Sequence, residues 1–227
     1  MEGELNNLVL SIFPGIDLLG RAFEEEGFCV VRGPDLLWGG DIRDFHPPAG
    51  VFGGVIGGPP CQEFSVLRHL GHYKSKHGNM IPEFERCVED AQPDWFLMEN
   101  VKEAPEPQIQ GYKLSVLYLN NRWVGEEQDR LRKFCFGTAN GRSIFPDIAL
   151  FENPVKTSTV IASSGGKLRP SQSRGLPVAE VCRLQGLPEG FADNMPFTKQ
   201  GKQLILGNAV PMPMGRAIAR AVRKAMG

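Results

Sequence analysis

The sequence predicts an α/β fold: a mostly parallel sheet with helices on both faces. Two observations carry that prediction. Short, almost wholly apolar runs alternate along the chain with segments whose apolar residues recur at helical spacing, the signature of strands buried on both faces by crossover helices. Clusters of polar and glycine residues follow the apolar runs directly, and ligands of open α/β sheets bind beyond the carboxyl ends of the strands.

Taken in order, Leu8 to Phe13 (LVLSIF) reads as a buried strand, and Leu19, Ala22 and Phe23 follow it at helical spacing. Phe28 to Val31 (FCVV) is a second short strand. Val51 to Ile56 (VFGGVI) is a third, with glycines that imply close backbone approach. Phe84, Cys87, Val88 and Ala91 form an i, i+3, i+4, i+7 stripe, and Gln92-Pro93-Asp94 ends that helix before a strand at Trp95 to Met98. At the C-terminus Met214, Ala217, Ile218, Ala221, Val222 and Ala225 share one helix face, which makes the last helix first of all a packing element.

Composition narrows the class. The 227 residues are 41% hydrophobic and 22% charged, which suits one globular domain with a substantial core. No stretch approaches the roughly 20 apolar residues of a membrane span, and the start MEGELNNLVL carries two glutamates where a secretory signal would be positive. The expected location is cytoplasmic. Five cysteines without regular spacing and without a CxxC pair point to reduced thiols and to no zinc site or other metal centre. A net charge of −1 means that any nucleic-acid site is a local patch. One candidate is the segment 199 to 227, with Lys199, Lys202, Arg216, Arg220, Arg223 and Lys224 and no acid; a solvated helix face is the equally open alternative.

The polar clusters carry the chemistry. Phe13-Pro14-Gly15-Ile16-Asp17 lies between the first strand and its helix, where a glycine admits a ligand to the backbone; Asp17 is equally suited to cap the helix. Asp35 follows the second strand, and Gly40-Asp41-Ile42 precedes the third; their carboxylates could accept from a ribose or an amino group, or could simply shape turns. Cys61 comes straight after the third strand in Gly57-Gly58-Pro59-Pro60-Cys61, a loop stiffened by two prolines. A polar loop of this kind suits a held nucleophile better than a buried thiol. Glu99-Asn100-Val101 ends the fourth strand, and Gln128-Asp129-Arg130-Leu131-Arg132 projects alternate residues to one side if extended, so that a thiol, a carboxyl and two guanidiniums could converge.

Together these residues resemble the C5-cytosine-specific DNA methyltransferase family. The resemblance rests on Phe13-x-Gly15, Pro60-Cys61-Gln62, Glu99-Asn100-Val101, Gln128-x-Arg130-x-Arg132, Arg174-x-Leu176 with Glu180-x-x-Arg183-Leu184-Gln185-Gly186-x-Pro188, and Gly207-Asn208-Ala209-Val210-Pro211, ordered over residues 13 to 211. It implies a Rossmann-like fold that uses S-adenosyl-L-methionine and a DNA cytosine flipped out of the duplex. Cys61 would add to C6 and make C5 nucleophilic. Glu99, protonated, would bond N3 and the exocyclic amine, while Arg132, with Arg130 beside it, would hold O2 or a nearby phosphate. The resemblance assigns cofactor contacts to Phe13, Gly15, Asp17, Asp35, Asp41, Ile42, Pro59, Asn208 and Val210.

It also implies a catalytic and cofactor-binding unit at 1–137, a reduced target-recognition region at 138–174 that suits a short or loosely specified site, and a segment 175–227 that returns to the catalytic unit. The largest departure from the family pattern is the brevity of the region 138–174, and three residues depart as well: Asp17 stands for a glycine, Asp35 for a glutamate, and Pro177 for a threonine. A restriction-modification setting and a monomeric state are the matching expectations. A tRNA cytosine-C5 methyltransferase and a non-catalytic DNA-binding relative are the alternatives, the latter disfavoured because Cys61, Glu99, Arg132 and Asn208 are all present.

Overall fold

A computed structural model describes residues 6–60, 78–149, 160 and 176–227. Strands β1 (Leu8–Ile12), β2 (Cys29–Arg32), β3 (Gly54–Gly57), β4 (Trp95–Asn100), β5 (Lys113–Asn120) and β6 (Leu131–Thr138) form one sheet in the order β2-β1-β3-β4-β6-β5. The first four run parallel, with Leu10 opposite Val55 and Ile56 opposite Leu97. β6 pairs antiparallel with both β4 and β5. The α/β fold with a mostly parallel sheet is as the sequence predicts. The antiparallel pair at one edge is the addition, and the expected extended segment 128–132 enters the sheet only at Leu131.

Alternation along the strands divides the core into two layers. Val9, Ile56, Trp95, Leu97, Phe134 and Phe136 face helices α1 (Leu18–Glu25) and α5 (Met212–Met226), meeting Phe23, Met214, Ala217, Ile218 and Val222. Leu10, Val55, Phe96, Met98 and Cys135 face α2 (Ile81–Ala91), whose predicted stripe Phe84, Cys87, Val88 and Ala91 is fully buried. Gly54 shows why β3 needs glycine: a Cβ there would collide with the Trp95 indole, which stacks beside Phe23 at 6.0 Å. Each large side chain so buried contributes about 1.5–3 kcal/mol of transfer free energy. Two further helices, α3 (Val178–Leu184) and α4 (Lys199–Asn208), pack on each other, and Thr198 caps α4 by accepting from Gly201 N.

Most of the C-terminal cations are paired across the surface of this architecture. Arg216 pairs with Glu25, Arg220 Nη1 lies 3.4 Å from Glu26, Arg223 donates to the Glu26 carbonyl, and Lys224 lies 2.8 Å from Asp147. The α5 part of the candidate basic patch is therefore a seam between helices α1 and α5 and the segment after β6, in which three of its cations pair with acids and Arg223 with a backbone carbonyl. Among the described residues, no helix is long and apolar enough to cross a membrane.

Candidate active site

The first half of the site is the turn from β1 into α1. Phe13 (φ 55°), Gly15 (φ 55°) and Asp17 (φ 53°) all adopt left-handed backbone, which costs an L-residue roughly 1–2 kcal/mol. Side-chain bonds hold the turn: Asp17 accepts from Ser11 Oγ at 2.8 Å and Gly20 N at 3.0 Å and pairs with Arg32 Nε at 2.8 Å. Asp17 is thus the N-cap of α1, and its burial pushes the carboxyl above its ordinary range against the pull of Ser11 and Arg32. The side chain that departs from the glycine pattern has become the anchor of the turn.

Around that anchor lies an open cradle. Gly15 N donates to Asp35 Oδ2 at 2.9 Å, Leu37 N to Asp35 Oδ1 at 2.8 Å, and Trp38 Nε1 to the Gly15 carbonyl at 2.7 Å. A Cβ placed on Gly15 would meet nothing within 4 Å. A cleft of about 250 Å³ opens here, lined by Gly15, Asp17, Arg21, Arg32, Trp38 and Phe197, with the Trp38 and Phe197 rings 6.0 Å apart. Asp41 caps the short turn Ile42–Asp44 through Arg43 N, and Ile42 is buried. Arg86, on α2, holds this turn by donating to the Ile42 carbonyl at 2.8 Å and the Phe45 carbonyl at 3.0 Å, while Glu83 and Asp90 hold Arg86 at 2.9 Å each. Free backbone space, aromatic walls and carboxylates at the strand ends fit a nucleoside-bearing cofactor.

The second half stands at the end of β4. Glu99 is 8% exposed, and its Oε1 lies 2.9 Å from Arg132 Nε, which β6 delivers to the same face of the sheet. Burial pushes the Glu99 carboxyl up, and it outweighs the opposing pull first of Arg132 and then of Arg130. Asn100 Nδ2 donates to the Pro59 carbonyl at 3.1 Å, and a Cβ on Gly58 would lie 3.0 Å from Glu99 Oε2. The loop leaving β3 is therefore fastened against the carboxyl. Cys61, Gln62 and Arg174 lie outside the described residues, as does most of the stretch 150–175.

Arg130 behaves differently from Arg132. The expectation that both guanidiniums meet the carboxyl holds for Arg132 alone as a contact. Arg130 is 1% exposed, and it donates to the carbonyls of Val160 at 2.8 Å, Gly207 at 3.0 Å and Ala209 at 3.1 Å. A planar fork with five donors can satisfy several carbonyls at once where a turn needs them. Its charge still reaches Glu99, but its hydrogen bonds organise the Gly207–Ala209 turn. On that turn Asn208 is exposed at the end of α4, and Val210 is buried.

Sequence reasoning overlooked Trp38 and Arg86, whose roles depend on contacts over 23 and 41 or more residues. Among the described residues, no group of three or more His, Cys, Asp or Glu side chains is placed to hold a metal ion.

Comparison with known proteins places the chain in a family. The model of the family described as C-5 cytosine-specific DNA methylase matches residues 39–161 and 147–224. The Type II methyltransferase M.FnuDI of Fusobacterium nucleatum is 31% identical over 158 residues, 57% of this chain and 46% of that protein. M.AquIA of a Picosynechococcus species is 34% identical over 138 residues, 51% of this chain and 55% of that protein. The chain spans about half the length of these curated relatives. Among solved structures, the Entamoeba histolytica methyltransferase EhMeth superposes with a TM-score of 0.69 at 12% identity, covering 97% of this chain and 98% of that one, a likeness of fold. With its family match running across most of the sequence and a Rossmann-like methyltransferase fold beneath it, the chain belongs to the C-5 cytosine-specific DNA methylase family.

Proposed function

We propose that this chain is a DNA cytosine-C5 methyltransferase that uses Cys61 as a covalent nucleophile and S-adenosyl-L-methionine as methyl donor. The observation that carries the reading is the buried Glu99 carboxyl, paired with Arg132 and pressed against the Gly58-Pro59 loop that leads into Cys61. Burial pushes the Glu99 carboxyl above its ordinary range and so favours the form that can donate a proton to a ring nitrogen.

Each residue then has a defined task. The Cys61 thiolate adds to C6 of the cytosine, and electron density moves through the ring toward N3 and C5. Glu99 donates to N3 and accepts from the exocyclic amine, stabilising that density as it develops. Arg132, already fixed to Glu99, offers its remaining N–H groups to O2. After transfer a solvent water takes the C5 proton, that electron pair re-forms the C5–C6 double bond and expels the Cys61 thiolate from C6, and the N3 proton returns to Glu99. The cofactor supplies an electrophilic methyl group on a sulfonium. Phe13, Gly15, Asp35, Asp41, Ile42, Pro59, Asn208 and Val210 would hold it, with Asp17 fixing the turn that carries Gly15. A base inside a duplex cannot reach so enclosed a carboxyl, so the target nucleotide must be extruded. The region 138–174 would read the DNA, and one copy of the chain would suffice.

The reading is tested by incubating the protein with labelled S-adenosyl-L-methionine and, in parallel, a random duplex DNA library and bulk tRNA. Label is expected at cytosine C5 of DNA in a short sequence context. Label in tRNA alone would replace DNA with RNA, and label in neither would refute the activity.

A further inference from the structure

Three side chains at the foot of the site form a buried polar network that the chemistry above does not use. Gln128 (0% exposed) donates through Nε2 to the Leu184 carbonyl at 2.7 Å and to Gln185 Oε1 at 3.1 Å, and its own Oε1 accepts from Val160 N at 3.3 Å. Gln185 (0% exposed) donates through Nε2 to the Leu206 carbonyl and to the Ala209 carbonyl at 3.0 Å, while its backbone carbonyl accepts from Met212 N at 2.9 Å. Arg130 takes the carbonyls of Gly207, Ala209 and Val160.

The consequence is local and specific. Carbonyls on both sides of Asn208, those of Leu206, Gly207 and Ala209, are held by side chains from other segments, whereas Asn208 itself is exposed. Helix α4 ends here, and an unheld helix terminus frays. We propose that Gln185 is a positioning residue for methyl transfer: with Arg130 it clamps the Leu206–Ala209 turn so that Asn208 is presented to the cofactor side of the pocket. The inference rests on the proposed function and deepens it. The same network holds Val160 by both its N–H and its carbonyl, so the segment expected to read DNA and the turn that closes the pocket share one buried anchor.

Gln185→Glu keeps the volume and the acceptor for Gln128 and replaces only the amide that donates to the turn. Gln185→Leu removes both functions. For each variant and for wild type, three quantities are measured well below the melting temperature: single-turnover kcat at saturating DNA, KM for DNA, and the Kd of S-adenosylhomocysteine by calorimetry. A turn misplaced by about 1 Å costs on the order of 100-fold in rate. The expected result is a fall in kcat of about 10- to 100-fold and a weaker S-adenosylhomocysteine Kd, with KM for DNA unchanged. A lowered melting temperature with kcat and Kd within about twofold of wild type would overturn the proposal, leaving Gln185 a packing residue. So would failure of both variants to fold, because positioning requires a fold that survives loss of the contact. If wild type binds S-adenosylhomocysteine but transfers no methyl group, the proposed function fails while the Kd comparison still decides the clamp.

Discussion

Replacing Glu99 by glutamine keeps the shape of the side chain and removes its acidic proton. In the resting protein the loss is one charge-assisted bond, Glu99 Oε1 to Arg132 Nε at 2.9 Å, with Arg132 still donating to the Leu131 carbonyl at 2.7 Å. Hydrogen bonds to charged groups contribute about 1.5–3 kcal/mol, and an amide oxygen can still accept, so the net cost should be about 1–2 kcal/mol. For a chain of this size that lowers Tm by about 2–8 °C. In the reaction the loss is larger, since a positioned acid is worth about 10²–10⁴-fold, or about 3–5.5 kcal/mol. Single-turnover transfer to cytosine-containing duplex, with DNA affinity by fluorescence anisotropy, separates the two. We expect kcat to fall at least about 100-fold and DNA affinity to change less than about threefold. A kcat within about threefold of wild type would refute the acid role. The pH dependence carries its own sign. Burial raises the folded Glu99 pKa above the ordinary 4.5, so its contribution to stability is fully present below pH 4.5 and is lost as pH rises through the folded value. Glu99→Gln should remove that decline and leave the similar one from Asp17.

The other predictions follow from single contacts. Cys61→Ala should abolish methyl transfer while S-adenosylhomocysteine still binds; measurable turnover would remove the covalent mechanism. Arg86→Ala should free the Ile42–Phe45 turn and raise KM for S-adenosyl-L-methionine about tenfold, about 1.4 kcal/mol, with kcat little changed; unchanged KM would show that the turn holds itself. Asp17→Ala removes an N-cap worth about 0.5–2 kcal/mol and leaves a non-glycine residue left-handed, so Tm should fall by several degrees in a thermal melt. An unaltered Tm would contradict the anchoring role given to that carboxylate.

Much of the frame was legible in sequence because it depends on periodicity and local chemistry. The stripe Phe84, Cys87, Val88, Ala91 is buried as read, and of the last helix's face five of six residues are buried, Ala225 remaining partly exposed. The motif residues Gly15, Asp35, Glu99 and Arg132 stand at strand ends or beside them because an α/β sheet delivers its strand ends to one edge. What was not legible depends on distant contacts. Lys113–Asn120 (KLSVLYLN) holds an apolar run like those read as strands, but its antiparallel place at the sheet edge is set by β6 alone. Arg130 and Arg132 look alike in QDRLR, yet the strand begins between them at Leu131, and that start separates a buried clamp from the cation paired with Glu99. The cations of α5 read as free charge because their acidic partners Glu25, Glu26 and Asp147 lie far away along the chain.

The most direct test of the central claim uses duplex DNA in which the target cytosine is 5-fluorocytosine, incubated with the protein and S-adenosyl-L-methionine and resolved under denaturing conditions. Fluorine at C5 cannot leave as a proton, so wild type should form a stable DNA–protein adduct, mapped by peptide mass to Cys61 and lost in Cys61→Ala. A preparation that methylates ordinary DNA yet forms no such adduct would contradict the account.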